Sequence, residues 1–387
     1  MDRRARKLVL VLILAALGPV ALLFSALFAY DPLALFHEPW GRPVTVHENL
    51  RLQAVGAIRH GDFDSVILGT SILENSSADE ASRILGGRFV NLSISAGDFF
   101  ERGLILRHLL ERRPVRQVIY SLDFIYLNQR KGYWYYPLPT YDYLYDANPF
   151  NDIRAYLNGH FLGCLARWSR DAACVGRETD LDRPNAWMKD PEQVARFGGF
   201  DAWCQARDNS QIRDAYAKMS EAAVAIRAGA VQVSDPAQTA LAIDYVERNL
   251  ITLVREFPQT RFHLVFPPYS RAKFAIWHQY RQGDAAAHLA VIGYLAESSR
   301  RLPNLRVSGF EDQDFLDDIA RYKDMDHFDP EINTLIARSI GQDAHRITPM
   351  NVEHYLAEAT RRAREYPLDE MAARLGACIE PPAGAAP

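Results

Sequence analysis

Three side chains at two distant points of the chain carry the residue types needed for acyl transfer. Ser71 ends a small-residue turn, Gly69-Thr70-Ser71. Asp324 and His327 stand three apart in Asp324-Met325-Asp326-His327. That spacing lets a carboxylate hold one imidazole nitrogen while the other points outward. A His oriented in this way is a general base whose charged form the carboxylate stabilises. With a serine in reach, the chain order Ser, Asp, His forms a nucleophilic triad. The blander alternative is that Ser71 ends a turn and Asp324 caps the His327 loop.

The flanking elements decide whether the three can meet. Ser65-Val66-Ile67-Leu68 is a short apolar, β-branched run that reads as a buried strand, and Asp79 to Leu85 reads as the helix after it. A tight turn between strand and helix puts Ser71 at the carboxyl edge of a parallel sheet, where open α/β sheets place their chemistry. Arg88 to Ile94 and Gln117 to Asp123 are the next strands, with a helix from Phe100 to Glu111 between them. Arg261 to Phe266 and Leu305 to Phe310 are the fourth and fifth, separated by a helix from Phe274 to Arg301. Asp329 reads as an N-cap and Pro330 as the first residue of the helix after His327. The pattern predicts an α/β fold, a three-layer, doubly wound parallel sheet of about five strands with right-handed crossovers. Ser71 and the Asp324–His327 pair then share one sheet edge.

The strand rhythm breaks between residues 128 and 235, a large insertion after the third strand. It holds Tyr133-Trp134-Tyr135-Tyr136 and then Tyr141, Tyr143 and Tyr145. Tyr133, Trp134 and Tyr135 are candidates for binding a sugar ring or polymer, since aromatic faces suit such ligands; packing of the insertion onto the core is the equal alternative.

The N-terminus is basic through Arg3, Arg4, Arg6 and Lys7. Leu8 to Tyr30 follows without a charge, about 23 residues, enough to span a bilayer. A cleaved signal peptide has a shorter apolar region and small residues at its cleavage site. Here Leu22-Leu23-Phe24 and Leu27-Phe28 fill that place, so an uncleaved anchor is expected. The positive flank keeps the N-terminus cytoplasmic, which puts the remainder outside the cytoplasm, in the periplasm of a Gram-negative cell. The expected organisation is an anchor over 1–30, an extended linker over 31–49, an α/β domain over 50–376 and a disordered tail over 377–387. Cys164 and Cys174 lie in the loop-rich insertion of a disulfide-permissive compartment and are expected to pair. Cys204 is the alternative partner for either, and Cys378 in the tail is expected to be free.

Composition narrows the function classes. The chain of 387 residues is 48% hydrophobic and 24% charged, with a net charge of −4. Such a balance gives no basic footprint for nucleic acid. No Cys-x-x-Cys pair or phosphate-cradling G-x-x-x-x-G-K-[ST] loop occurs, so no metal or cofactor is expected. Asp326, His327 and Asp329 are weak as a cation site without a glycine-rich loop. His263, inside the fourth strand, reads as a core residue.

The Gly69-Thr70-Ser71 and Asp324-Met325-Asp326-His327 blocks, in this order and frame, resemble the SGNH or GDSL-type hydrolases. The likeness covers roughly Leu50 to Leu356, excluding the insertion. It points to the membrane-anchored, extracytoplasmic branch that includes alginate O-acetyltransferase-like and D-alanyl-lipoteichoic acid transfer-like proteins. The resemblance implies that Ser71, Asp324 and His327 are catalytic and that Gly97 supplies an oxyanion-binding N–H. It also implies a third-block residue at Asp123, where the family carries an oxyanion-binding Asn. An ionised carboxylate cannot donate to an oxyanion, so Asp123 is either protonated or anchors the Ser71 loop through backbone N–H groups, and the oxyanion hole then rests on the Ser71 and Gly97 backbone N–H groups, with Asn75 or Asn91 as additional candidate donors. The activity implied is serine-dependent acyl transfer, acetyl above all, or ester hydrolysis on an envelope polysaccharide or glycan. An integral-membrane acyltransferase is the implied partner. The alternative is a non-catalytic envelope protein that keeps the fold and binds glycan or a biosynthetic complex.

Overall fold

The computed structural model describes residues 3–128, 140–233 and 235–379. In chain order the strands are β1 (Thr45–Val46), β2 (Ser65–Leu68), β3 (Phe89–Asn91), β4 (Gln117–Ser121), β5 (Arg177–Glu178), β6 (Arg261–Val265), β7 (Leu305–Ser308) and β8 (Arg346–Ile347). The rest of the regular structure is helical. The chain divides into two compact units: Met1–Asp62 with Tyr136–Asp180, and Phe63–Tyr135 with Leu181–Pro387.

The larger unit is built on a six-stranded sheet in the order β3-β2-β4-β6-β7-β8. All neighbours are parallel except β7 and β8. The five parallel strands are those expected from the apolar runs; β8, only two residues long, has no periodicity to reveal it. Counted along the chain, the parallel strands lie in the order 2-1-3-4-5. Strand order therefore reverses beside β2, and the crevice at that reversal lies outside the carboxyl ends of β2 and β4. Every residue of β2 and β4 is buried. Side chains alternate faces along a strand, so this burial means that both faces are covered, as parallel sheets require. The Ala78–Leu85 helix packs against Pro330–Gly341, and Pro236–Val246 against Gln282–Arg301.

Helix starts follow the local chemistry. Ser77 accepts from the Glu80 N–H. Asp98 and Glu101 form a reciprocal capping box at the head of Phe99–Arg112. Asp329 accepts from the Ile332 N–H ahead of Pro330, as its sequence position indicates. His263 is a buried core residue whose Nε2 meets Gln117 Oε1 at 3.1 Å.

The smaller unit begins with α1 (Arg3–Tyr30), long and apolar enough to cross a membrane. Its last turn is not free. Leu27 is fully buried in a core with Leu33, Leu35, Tyr141, Leu144 and Tyr156. Tyr30 donates its hydroxyl to the Ser169 carbonyl at 2.6 Å. Residues 31–49 are correspondingly not a linker. Asp31 is buried and accepts from the N–H groups of Leu35, Phe36 and His37 and from the Tyr156 hydroxyl. Its carboxylate replaces water as the partner of a tight loop, which lets Leu33 and Leu35 enter the core. β1 pairs antiparallel with β5, and Leu50–His60 belongs to this unit. The 128–235 insertion is thus divided between the two units. Tyr141 is buried here, and Tyr145 donates to the Arg51 carbonyl at 2.6 Å, so these tyrosines pack the unit.

Cys164 and Cys174 are disulfide-bonded in the smaller unit, the expected pair. Cys378 is not free: it bonds to Cys204 in the larger unit. The chain up to Ile379 is helical rather than tail-like, and this helix (Leu368–Ile379) packs on Phe200–Gln205, which carries Cys204. Residues 380–387 lie outside the described residues. The Cys204–Cys378 bridge closes a loop of 174 residues, so the unfolded chain loses much freedom through it. Replacing both cysteines by serine should lower unfolding free energy by about 2–5 kcal/mol. Denaturant melts under non-reducing conditions measure this, and unchanged midpoints would contradict it.

Candidate active site

The turn after β2 is held from three sides. Trp187 donates its indole N–H to the Ser71 carbonyl at 2.7 Å. Asn333 Nδ2 donates to the Ile72 carbonyl at 3.1 Å. Asn91 Nδ2 donates to the Leu73 carbonyl at 2.8 Å and to that of Ser76 at 2.9 Å. Gly69 is required by close approach, because a Cβ there would lie 2.6 Å from Ser121 Oγ and 2.9 Å from Leu73 Cβ.

Opposite this turn, the loop after β7 presents His327. Met325 is pinned by the N–H and hydroxyl of Ser270, at 3.1 and 2.9 Å from its carbonyl. The Lys323 N–H donates to the His327 carbonyl at 3.0 Å. Asp324 is buried, and one of its oxygens accepts from the N–H groups of Asp326 and His327 at 2.8 and 2.9 Å.

Ser71 Oγ lies 2.9 Å from His327 Nε2, and His327 Nδ1 lies 2.9 Å from both Asp324 oxygens. The three residues form one continuous hydrogen-bonded relay across 256 positions of sequence. Both spacings are within hydrogen-bond reach for a nucleophile, base and orienting acid. Burial alone would raise the Asp324 carboxyl. The His327 imidazolium, the hydrogen bond to it, the Lys323 ammonium and the Asp326 N–H outweigh burial and hold it well below the usual carboxylate range. Asp324 therefore stays charged at neutral pH and fixes the tautomer that leaves Nε2 to accept from Ser71.

The relay opens into a cleft of about 440 Å³. Ile72, Phe124, Leu127, Met325, Ile276 and Trp277 give it apolar walls, and Glu221, Gln232 and Arg281 line it as well. Lys273 reaches into it nearly buried, 2.9 Å from Asp326 and over the Phe124 ring at 4.1 Å.

The two residues assigned to oxyanion binding are placed otherwise. Asp123 lines the cleft, but its oxygens accept from the hydroxyls of Thr70 (2.9 Å) and Ser121 (2.6 Å) and pair with Arg102 at 3.2 Å. Occupied in this way, it anchors the Ser71 loop through the Thr70 side chain rather than donating to an oxyanion. Gly97 spends its N–H on the Ile94 carbonyl at 2.9 Å. Its lack of a side chain serves packing, since a Cβ would lie 2.4 Å from Ile94 Cγ1. Ala96, at φ 52 in that same turn, lines the cleft instead. Asn91 is committed to the Leu73 and Ser76 carbonyls, whereas Asn75 accepts from the Met188 N–H at 3.2 Å through Oδ1 and keeps its buried Nδ2 without a partner among the described residues. The Ser71 backbone N–H is a further donor on the Gly69-Thr70-Ser71 turn itself. Tyr133, Trp134 and Tyr135, the candidate glycan-binding aromatics, lie outside the described residues.

Trp187 and Lys323 were not singled out by their sequence surroundings. Besides its hydrogen bond to Ser71, Trp187 stands edge-on to the His327 ring at 5.6 Å. The Lys323 ammonium sits over the Trp187 face at 4.2 Å, 2.6 Å from Gln193 Oε1 and 3.9 Å from Asp324. Trp187 lies in the aperiodic insertion and meets Ser71 across 116 positions; no local pattern reports such a contact. The one available signal for Lys323 is its place next to Asp324.

No protein-family model, characterised protein or solved structure matches this chain.

Burial lowers Lys323 to about 8 despite the favourable charge of Asp324. Between that value and the ordinary 10.5, the unfolded chain holds a proton that the folded chain has lost. Its contribution to unfolding free energy therefore rises with pH across this window. Over that window the wild type should gain more stability than Lys323→Met by on the order of 1–3 kcal/mol. Parallel stability–pH curves for the two proteins would rule this out.

Proposed function

We propose that this chain is a serine-dependent acyltransferase or esterase acting on a cell-envelope polysaccharide or glycan. The observation that carries the reading is the Ser71–His327–Asp324 relay at the mouth of a cleft. In the reaction, Ser71 Oγ attacks an ester carbonyl while His327 Nε2 takes the hydroxyl proton. The tetrahedral intermediate collapses when His327 returns that proton to the departing alkoxide. The acyl group, an acetyl in the leading case, is left on Ser71. A sugar hydroxyl or water, deprotonated by His327, then attacks the acyl-enzyme and frees Ser71. Asp324 keeps its charge and stabilises the imidazolium throughout. The Ser71 N–H supplies a donor for the developing oxyanion. The likeness to the SGNH hydrolases agrees with this assignment, and an integral-membrane acyltransferase as acyl supplier is part of the same proposal.

The setting proposed is the outer face of the inner membrane, with α1 as an uncleaved single-pass anchor. Burial of Leu27 and Tyr30 in the smaller unit supports retention, because cleavage beyond Tyr30 would remove part of that core. The basic residues Arg3, Arg4, Arg6 and Lys7 in the first turns of α1 favour a cytoplasmic N-terminus.

A second reading, a non-catalytic glycan-binding protein, draws on the occupied Asp123 and the committed Gly97 N–H. Mutants separate the two. With an acetylated glycan or an aryl acetate as substrate, Ser71→Ala and His327→Ala should each reduce kcat by roughly 10⁴–10⁶-fold, and the double variant should be little worse. Asp324→Asn should cost about 10³–10⁴-fold, because an amide facing Nδ1 favours the wrong tautomer. Wild-type levels of glycan acylation in cells carrying only Ser71→Ala would favour the binding protein.

A further inference from the structure

The smaller unit carries exposed tryptophans around the end of α1. Trp40 is 62% exposed and Trp168 51%. Trp40 lies 6.2 Å from the Phe28 ring and stacks on His37 at 3.8 Å. Trp168 lies 5.2 Å from the Tyr30 ring. From Leu8 to Tyr30 an α-helix rises about 34 Å, slightly more than the hydrocarbon thickness of about 30 Å. Phe28 and Tyr30 then stand at the far boundary of that layer, and the two tryptophans stand with them.

Trp168 carries a second signal. It is the C-cap of the Gly159–Arg167 helix and adopts φ 47, ψ 43, the left-handed conformation that favours glycine. A bulky residue there carries a backbone cost that glycine would not. Half of the residue nonetheless faces out of the unit. Its neighbours Arg167 and Arg170 are also exposed and form no ion pair among the described residues. Amphipathic rings beside unpaired guanidinium groups, at the end of an apolar helix, match the chemistry of a phospholipid headgroup layer.

We propose that the smaller unit is a membrane collar: Trp40 and Trp168 insert into the headgroup layer that α1 leaves, and Arg167 and Arg170 pair with anionic lipid phosphates. This rests on α1 being a retained anchor. The collar would fix the tilt of the unit instead of leaving it on a swivelling stalk.

The test uses the full chain in phosphatidylcholine–phosphatidylglycerol nanodiscs with lipids brominated near the headgroup, which quench nearby tryptophan fluorescence. Wild type should be quenched, and Trp40→Phe/Trp168→Phe should lose most of that quenching. Placing the bromine on phosphatidylglycerol alone should quench more than placing it on phosphatidylcholine alone at equal mole fraction. Arg167→Gln/Arg170→Gln should abolish the difference. An intact Cys164–Cys174 bridge in each variant reports that the unit is folded. Equal quenching of wild type and the tryptophan variant overturns insertion. Equal quenching by the two lipids in the wild type overturns the anionic preference. A chain that does not co-elute with the nanodiscs overturns the anchor and the collar together, whereas a co-eluting, unquenched chain overturns the collar alone.

Discussion

The three side-chain donors that hold the carbonyls of Ser71, Ile72 and Leu73 are the constraint on which the candidate site depends. A serine at a strand end has several rotamers and a mobile turn beneath it. Here Trp187, Asn333 and Asn91 each take one successive carbonyl, and Asp123 takes the Thr70 hydroxyl from below. These donors come from the insertion, the helix that follows the His327 loop (Pro330–Gly341) and the neighbouring strand. The turn cannot shift without breaking bonds to all of them. Most of these groups are buried, where an unmade hydrogen bond costs more than a made one contributes. Pre-organisation of this kind keeps Oγ within reach of His327 before any substrate arrives.

The second half of the relay is built by a different device. Asp324 is enclosed, yet two backbone N–H groups, the imidazole and the nearby Lys323 keep its charge favourable. Lys323 bears the opposite cost, since burial works against its ammonium and the Trp187 face only partly replaces water. Trp187 thus touches the Ser71 turn, the His327 ring and the cation beside Asp324. A substitution at this one tryptophan reaches every part of the relay.

What the sequence makes legible follows the range of the interactions. Ser71 and the Asp324–His327 pair stand out because their types, three-residue spacing and strand-end positions are local features. The five parallel strands are visible as apolar runs, and β8 is not because Arg346–Ile347 is too short to show a period. Residues 31–49 read as a linker from Pro32, Pro39, Gly41 and Pro43. What buries them is the Asp31 carboxylate meeting Tyr156 across 125 positions. The Cys204–Cys378 bridge depends on a terminal helix packing against a helix far earlier in the chain, which spacing alone does not disclose. Asp123 and Gly97 show the limit of carrying roles over by resemblance. Both lie near the site, but Arg102 and the Ile94 carbonyl determine what they can do, and neither partner is part of the matched blocks.

The central claim is that Ser71 is a nucleophile activated by His327, and covalent trapping tests it most directly. The full chain would be treated with a fluorophosphonate and analysed by intact mass and peptide mapping. The account predicts a single adduct on Ser71, none on Ser71→Ala, and labelling of His327→Ala slowed by at least about a thousandfold, the scale set by loss of the base. An unlabelled wild-type chain, or one labelled equally fast with and without His327, would contradict it.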